Sequence, residues 1–212
     1  MTDASEPRPS RRPVPARPFV LNVDIDGVCA DYVGAFRRIV ARRTGVDVSA
    51  LGPQSSWDFH RCWAPIRDRD HFLELHHHAV TEDRLFLILE PMPGVAEALW
   101  RLNDAGVHVR IVTHRILRHG DHRLVAGDTI AWLDNHNIPY REIAFLTTKA
   151  DLWGDLSVDD APHVVEALHA ADRDVVIFDH PYNRHLDGPR AATWGDVERL
   201  VTDALRRSGH SV

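Results

Sequence analysis

Short apolar runs alternate along the chain with longer stretches of helical spacing, a pattern that predicts strands separated by helices. Residues 19–23 form the first such run, rich in β-branched and apolar side chains, and it breaks into a turn at Asp24-Ile25-Asp26-Gly27-Val28. Tyr32, Phe36, Ile39 and Val40 recur at helical spacing and predict a helix over 31–43. From 44 to about 86 the character changes. Trp57, Phe59, Trp63 and Phe72 lie among many charges with no strand pattern, which reads as a small, mainly helical insertion. Pro91-Met92-Pro93-Gly94 closes it as a stiff turn, and a helix follows over 95–106. Strands are then predicted at 107–112, 142–146, 155–158 and 174–178, with helices around 124–133, 163–171 and 194–205.

This order predicts an α/β fold: a doubly wound, Rossmann-like parallel sheet with helices on both faces and a small helical module inserted after the first strand. The core would comprise 18–31 and 88–212, and the insertion 32–87. The segments 31–34 and 87–94 are natural hinges between them. Residues 1–17 are polar, with four prolines and four arginines, and predict a disordered tail. In a sheet of this kind ligands bind outside the carboxyl ends of the strands.

Composition narrows the classes. A chain of 212 residues, 44% hydrophobic, can bury one sizeable core and a small accessory module. A net charge of −6 argues against a surface that holds polymeric nucleic acid. Cys29 and Cys62 make neither a disulfide framework nor a zinc site and fit a reducing compartment. No apolar run suits a signal peptide or a membrane span, so a cytoplasmic protein without membrane attachment is expected. His76, His77 and His78 point in different directions on any regular element, which favours a solvated helix face over a metal site. Cys29, Met92 and the isolated histidines read as structural.

Four predicted strand ends carry polar groups. The first ends in Asp24 and Asp26, two carboxylates that are costly to bury unless a cation neutralises them. Taken alone, this segment could be a simple turn. The second ends at Thr113-His114-Arg115, where a hydroxyl and free N–H groups could hold a phosphate oxygen or merely cap the strand. Beyond the third stands Lys149, the sole lysine beside 24 arginines, as if a compact point charge were required there. The fourth ends in Asp159-Asp160, a second acidic pair. Carboxylates, a cation and one ammonium at one sheet edge suit phosphoryl transfer. The positive charges neutralise the phosphate oxygens, one carboxylate attacks phosphorus, and a second protonates the leaving oxygen and then activates water.

Asp24-Ile-Asp26-Gly-Val, Thr113, Lys149 and Val158-Asp159-Asp160 resemble the four motifs of the haloacid dehalogenase superfamily of phosphatases. Within it the chain is similar to the 5′(3′)-deoxyribonucleotidase group. The likeness is carried by Asp24 to Tyr32, Leu89-Glu90-Pro91-Met92-Pro93-Gly94, the spacing from Lys149 to Asp159-Asp160, and Pro181-Tyr182-Asn183, Arg190 and Trp194. It implies that the insertion is a cap over the active site. It implies Asp24 as nucleophile, Asp26 as general acid/base, and Mg2+ held by Asp24, the Asp26 backbone carbonyl and Asp160, with Asp159 as a supporting partner. Thr113, the His114 backbone and Lys149 would hold the phosphate; Tyr32 and Trp57 match positions that contact a nucleobase.

The substrate implied is a small phosphorylated metabolite, a nucleoside monophosphate first, and the oligomeric state is open between monomer and homodimer. Two departures stand out. Animal members of the group have Ser-Pro where this chain has His114-Arg115, and 56–82 matches poorly beyond Trp57. Trp57, Phe59 and Trp63 therefore read equally as cap core or as base-stacking residues. A sugar phosphatase with the same chemistry, and a non-catalytic binding protein, are the alternatives.

Overall fold

The computed structural model describes residues 17–118 and 121–209. The predicted tail lies outside them except for Arg17, whose guanidinium donates to both carboxylate oxygens of Asp155 (2.9 and 3.0 Å) and lies 4.0 Å over the Trp153 ring.

Six parallel strands form one sheet: β1 (Val20–Val23), β2 (His108–Thr113), β3 (Glu142–Phe145), β4 (Leu156–Asp159), β5 (Val175–Phe178) and β6 (Arg190–Ala191). Their order is β3-β2-β1-β4-β5-β6, the doubly wound arrangement expected from the pattern. Several strand bounds shift by one residue, and two of these shifts bear on the sheet edge. Thr113 closes β2, paired with Phe145, and Asp159 closes β4, paired with Ile177. Both side chains thus leave the sheet at its carboxyl edge. Strand β6 has no counterpart in the sequence pattern, because two residues are too few to show a period.

Alternation along β5 shows how the sheet is covered. Val175 and Ile177 pack with Val164, Val165 and Leu168 of α6 (Pro162–Ala170). Val176 and Phe178 face the main core, with α4 (Val95–Asp104), α5 (His122–Asn135) and α7 (Trp194–Arg207). A strand buried on both faces reads as a continuous apolar run, as Val-Val-Ile-Phe does.

Between β1 and α4 the chain forms α1 (Tyr32–Thr44), α2 (Arg69–Thr81) and α3 (Leu85–Ile88), with short 3-10 turns. Helix α1 begins after Asp31, whose carboxylate accepts from Gly34 N at 2.8 Å. Its buried face meets an aromatic cluster of Phe36, Phe59, Trp63 and Phe72, with centroid separations from 4.7 to 6.2 Å. The entry and exit of this segment run side by side. Ala30 bridges Pro91, Asp31 N donates to Glu90 O (2.8 Å), and Met92 N donates to Cys29 O (2.7 Å).

The histidine triplet departs from a uniformly solvated face. His77 is exposed and His78 meets Glu82 at 2.6 Å, but His76 turns inward, with Nδ1 2.8 Å from the Tyr32 hydroxyl and its ring stacked on Phe72. The 100° step per residue puts only one of three consecutive side chains over the buried stripe of α2, beside Phe72 and Val80. Among the described residues no helix is long and apolar enough to cross a membrane.

Candidate active site

In the sheet order, β1 and β4 are neighbours from which the chain winds outward in opposite directions, to β2-β3 and to β5-β6. The crevice at such a switch point, outside the carboxyl ends, is where a ligand can enter without displacing a crossover. Asp24 follows β1, Thr113 ends β2, Lys149 follows β3, Asp159 ends β4 and Asp160 follows it. All five are buried.

Lys149 stands at the centre. Its ammonium lies 2.7 Å from Asp24 Oδ1 and 2.7 Å from Asp159 Oδ2. Burial alone would depress its pKa, but the two carboxylates overcome this and hold it above its ordinary value. Asp159 is fully engaged, since its other oxygen accepts from Ala161 N at 3.0 Å. Asp160 is not. Its Oδ2 accepts from the Tyr182 hydroxyl, while its buried Oδ1 has no hydrogen-bond partner among the described residues. Carboxylate oxygens of Asp24, Asp159 and Asp160 lie within 4.8 Å of one another. Burial, and then repulsion from Asp24 and Asp159, raises the Asp160 carboxyl well above the usual range. Burial also lifts Asp24, to about 7, with Lys149 opposing and Asp159 and Asp26 adding to the rise. An orphaned buried oxygen among crowded carboxylates is the donor set that a hard divalent cation takes. These residues fit such an ion.

Gly27 makes the crowding feasible. Its φ is +84°, and a Cβ there would sit 2.3 Å from Asp160 Oδ2 and 3.2 Å from the Tyr182 hydroxyl. The Gly27 carbonyl lies 2.7 Å from His180 Nε2, and the His180 ring stacks on Tyr182 at 5.0 Å and 8°.

Asp26 is turned to a different partner. Arg115 grips it with two bonds, Nη2 to Oδ1 at 2.6 Å and Nε to Oδ2 at 3.0 Å. Sequence pattern alone assigns Arg115 no role; it stands out only as part of the departure after Thr113. Its position two residues beyond a strand-end threonine is the one signal that could have found it. Thr113 Oγ1 accepts from Arg115 N at 3.2 Å, and the His114 ring stacks on His163 at 6.0 Å.

Beside these groups opens a cavity of about 500 Å³, lined by Asp24, Asp26, Thr113, His114, Lys149 and Asp160 at its floor. Its wall includes Tyr32, Trp57, Phe72, His76 and Phe86. The structure separates the three aromatics whose use is ambiguous in the sequence. Trp63 is buried, Phe59 is buried yet borders the cavity, and Trp57 is 43% exposed, edge-on to Tyr182 (5.5 Å) and near His163 (5.3 Å). Tyr32 reaches the wall from α1 but engages its hydroxyl with His76.

The chain is similar to known proteins over most of its length. The family described as 5′ nucleotidase, deoxy (Pyrimidine), cytosolic type C protein matches residues 17–207. A protein of Chlorobaculum tepidum named "Putative 5′(3′)-deoxyribonucleotidase" is 35% identical over 183 residues, covering 86% of this chain and 90% of its own. The human "5′(3′)-deoxyribonucleotidase, cytosolic type" is 27% identical over 211 residues, covering 90% of this chain and 96% of its own. Among solved structures, a haloacid dehalogenase-like family hydrolase from Streptococcus pneumoniae superposes with a TM-score of 0.56 at 12% identity. That match covers 87% of this chain and 98% of the other, and shows the shared fold.

Proposed function

The chain belongs to the 5′ nucleotidase, deoxy (pyrimidine), cytosolic type C family, and we propose that it is a divalent-cation-dependent phosphomonoester hydrolase acting on nucleoside monophosphates through a phosphoaspartyl intermediate on Asp24. The observation that carries the reading is the meeting of Asp24, Lys149 and Asp160 from three strand ends, with one Asp160 oxygen left unclaimed. Asp24 and Asp160, with the backbone carbonyl of Asp26, would hold the cation, taken as Mg2+. When bound, it neutralises phosphate oxygens and keeps Asp24 ionised.

Asp24 attacks phosphorus in line and the ester oxygen leaves. That oxygen takes a proton from Asp26, so the alcohol departs neutral. Water then attacks the acyl phosphate, its proton passes to Asp26, and Asp24 is regenerated as a carboxylate. Lys149 and Thr113, with the backbone N–H of His114, hold the phosphate oxygens. Asp159 keeps Lys149 charged and aimed. Tyr32 and Trp57 on the cavity wall favour a planar base, and the cavity volume is in the range of small-molecule sites. Residues 32–87 act as the cap that carries this wall.

The test is phosphate release from a panel of 5′- and 3′-monophosphates of ribo- and deoxyribonucleosides, with sugar phosphates alongside, in Mg2+ and in chelator. Turnover of nucleotides in Mg2+ and its loss in Asp24→Asn are expected. No release from any nucleotide would overturn the substrate class, and faster turnover of a sugar phosphate would replace it. An active Asp24→Asn variant would remove the nucleophile.

A further inference from the structure

Asp26 sits in an open turn, where a carboxylate on a short side chain ordinarily samples several orientations. Here it does not. Arg115 binds both of its oxygens, and the Arg115 side chain is 1% exposed against 27% for Asp26. The guanidinium is itself fixed on every side. Its Nη1 lies 3.3 Å from Thr129 Oγ1 on α5, its face covers the Phe86 ring of α3 at 4.2 Å, and its backbone N–H is bound to Thr113 Oγ1. A planar fork held in this way sets the plane of the carboxylate as well as its place. A carboxylate has about four lone-pair sites, of which the fork takes two. The remaining ones are left free by the fork, and when Asp26 is the acid one of them carries the proton, so the same fork holds both protonation states beside the cavity that Asp26 lines.

We propose that Arg115 is the positioning residue of the proton-transfer step: it holds the Asp26 carboxyl in the plane from which the leaving oxygen is protonated. The inference rests on the function proposed above, in which Asp26 is the general acid/base. Arg115 also borders the cavity, but in this role it acts through Asp26 and not on the phosphate. A lysine would supply charge and donors, but not the rigid planar fork that sets the plane of the carboxylate.

The consequence is selective. A nucleoside leaves as an alkoxide and needs a proton, whereas p-nitrophenolate is stable enough to leave without one. Because kcat/KM reports the steps through release of the alcohol, it isolates this transfer from the later hydrolysis. In Arg115→Met, kcat/KM on a nucleoside monophosphate is expected to fall ~100-fold or more, the scale of general acid catalysis, and on p-nitrophenyl phosphate by less than ~10-fold. Arg115→Lys should show the same selectivity at smaller size, and it decides the matter if the methionine variant does not fold. In an Asp26→Asn background, adding Arg115→Met should cost nothing further on the nucleotide, since the two act as a unit. Equal loss on both substrates in a folded variant, no loss on either, or additive losses in the double variant would each overturn the proposal. Failure of the wild-type protein to hydrolyse any nucleotide is a separate outcome, and it strikes the proposed function instead.

Discussion

The ammonium of Lys149 and Oδ1 of Asp24 lie 2.7 Å apart, with side chains only 6% and 9% exposed. The only lysine of the chain is therefore a buried counter-charge, and Asp159 shares it. Lys149→Met would leave three buried carboxylates without a cation. Breaking a buried pair from one side costs ~3–5 kcal/mol, so a loss of that size is expected in urea unfolding of the metal-free protein, with phosphatase activity abolished. A variant as stable as wild type in chelator would show that the lysine is not what balances the carboxylates.

Proton linkage gives a second expectation. In the metal-free protein Asp24 is held up to about 7 against an ordinary value of 3.8, by burial first. Between those values the folded state keeps a proton that the unfolded chain has released, so this group makes stability fall as pH rises through the window and level off above it. A bound cation takes the place of that proton. The increase in urea midpoint produced by Mg2+ over chelator should thus grow from about pH 5 to about pH 7 and level off above it. An increment that is flat across this range would contradict the linkage.

Tyr182 should be measurable through the metal. Its hydroxyl occupies one Asp160 oxygen and leaves the other for an ion. Partners that orient a ligand are typically worth 10- to 100-fold in metal affinity, so Tyr182→Phe is expected to weaken Mg2+ or Mn2+ binding by about that factor in titration calorimetry. An unchanged Kd would mean that Asp160 is aimed by something else.

Two glycines separate backbone strain from crowding. Gly27 and Gly94 both have φ near +80°, at +84° and +80°. A Cβ on Gly94 meets nothing nearer than Trp194 Cβ at 3.9 Å, whereas on Gly27 it would displace Asp160. Both alanine variants should lose ~1–2 kcal/mol from the left-handed backbone. Only Gly27→Ala should also lose metal binding; equal metal affinity in the two would place Asp160 outside the ion's reach.

The sheet edge is readable in the sequence because acidic residues directly follow apolar runs, at Val23-Asp24 and Val158-Asp159, and a carboxylate at the end of a buried strand is costly unless a cation meets it. The partners of those acids are harder to read. Arg115 pairs with Asp26 across 89 residues, and in a chain with 24 arginines one more on a polar loop looks like solvent-facing charge. His76 is obscured for a related reason: helical phase tells which residues share a face, but not which face the rest of the protein covers. Trp57 is legible as an aromatic and ambiguous as to use, because only the packing of Phe59 and Trp63 against Phe36 shows which rings are already spoken for.

The clasp at Ala30 and Pro91 has a consequence for how the protein can be remade. Both ends of the inserted segment are stitched together by main-chain hydrogen bonds, which do not depend on side-chain identity. A foreign segment spliced between those two points would inherit the same anchorage and leave the strand order untouched. The wall of the cavity could then be exchanged while the carboxylates at the sheet edge stay in place. The clasp begins only a few residues beyond Asp26, however, so a twist imposed by a graft would be transmitted straight to the carboxylate that Arg115 holds.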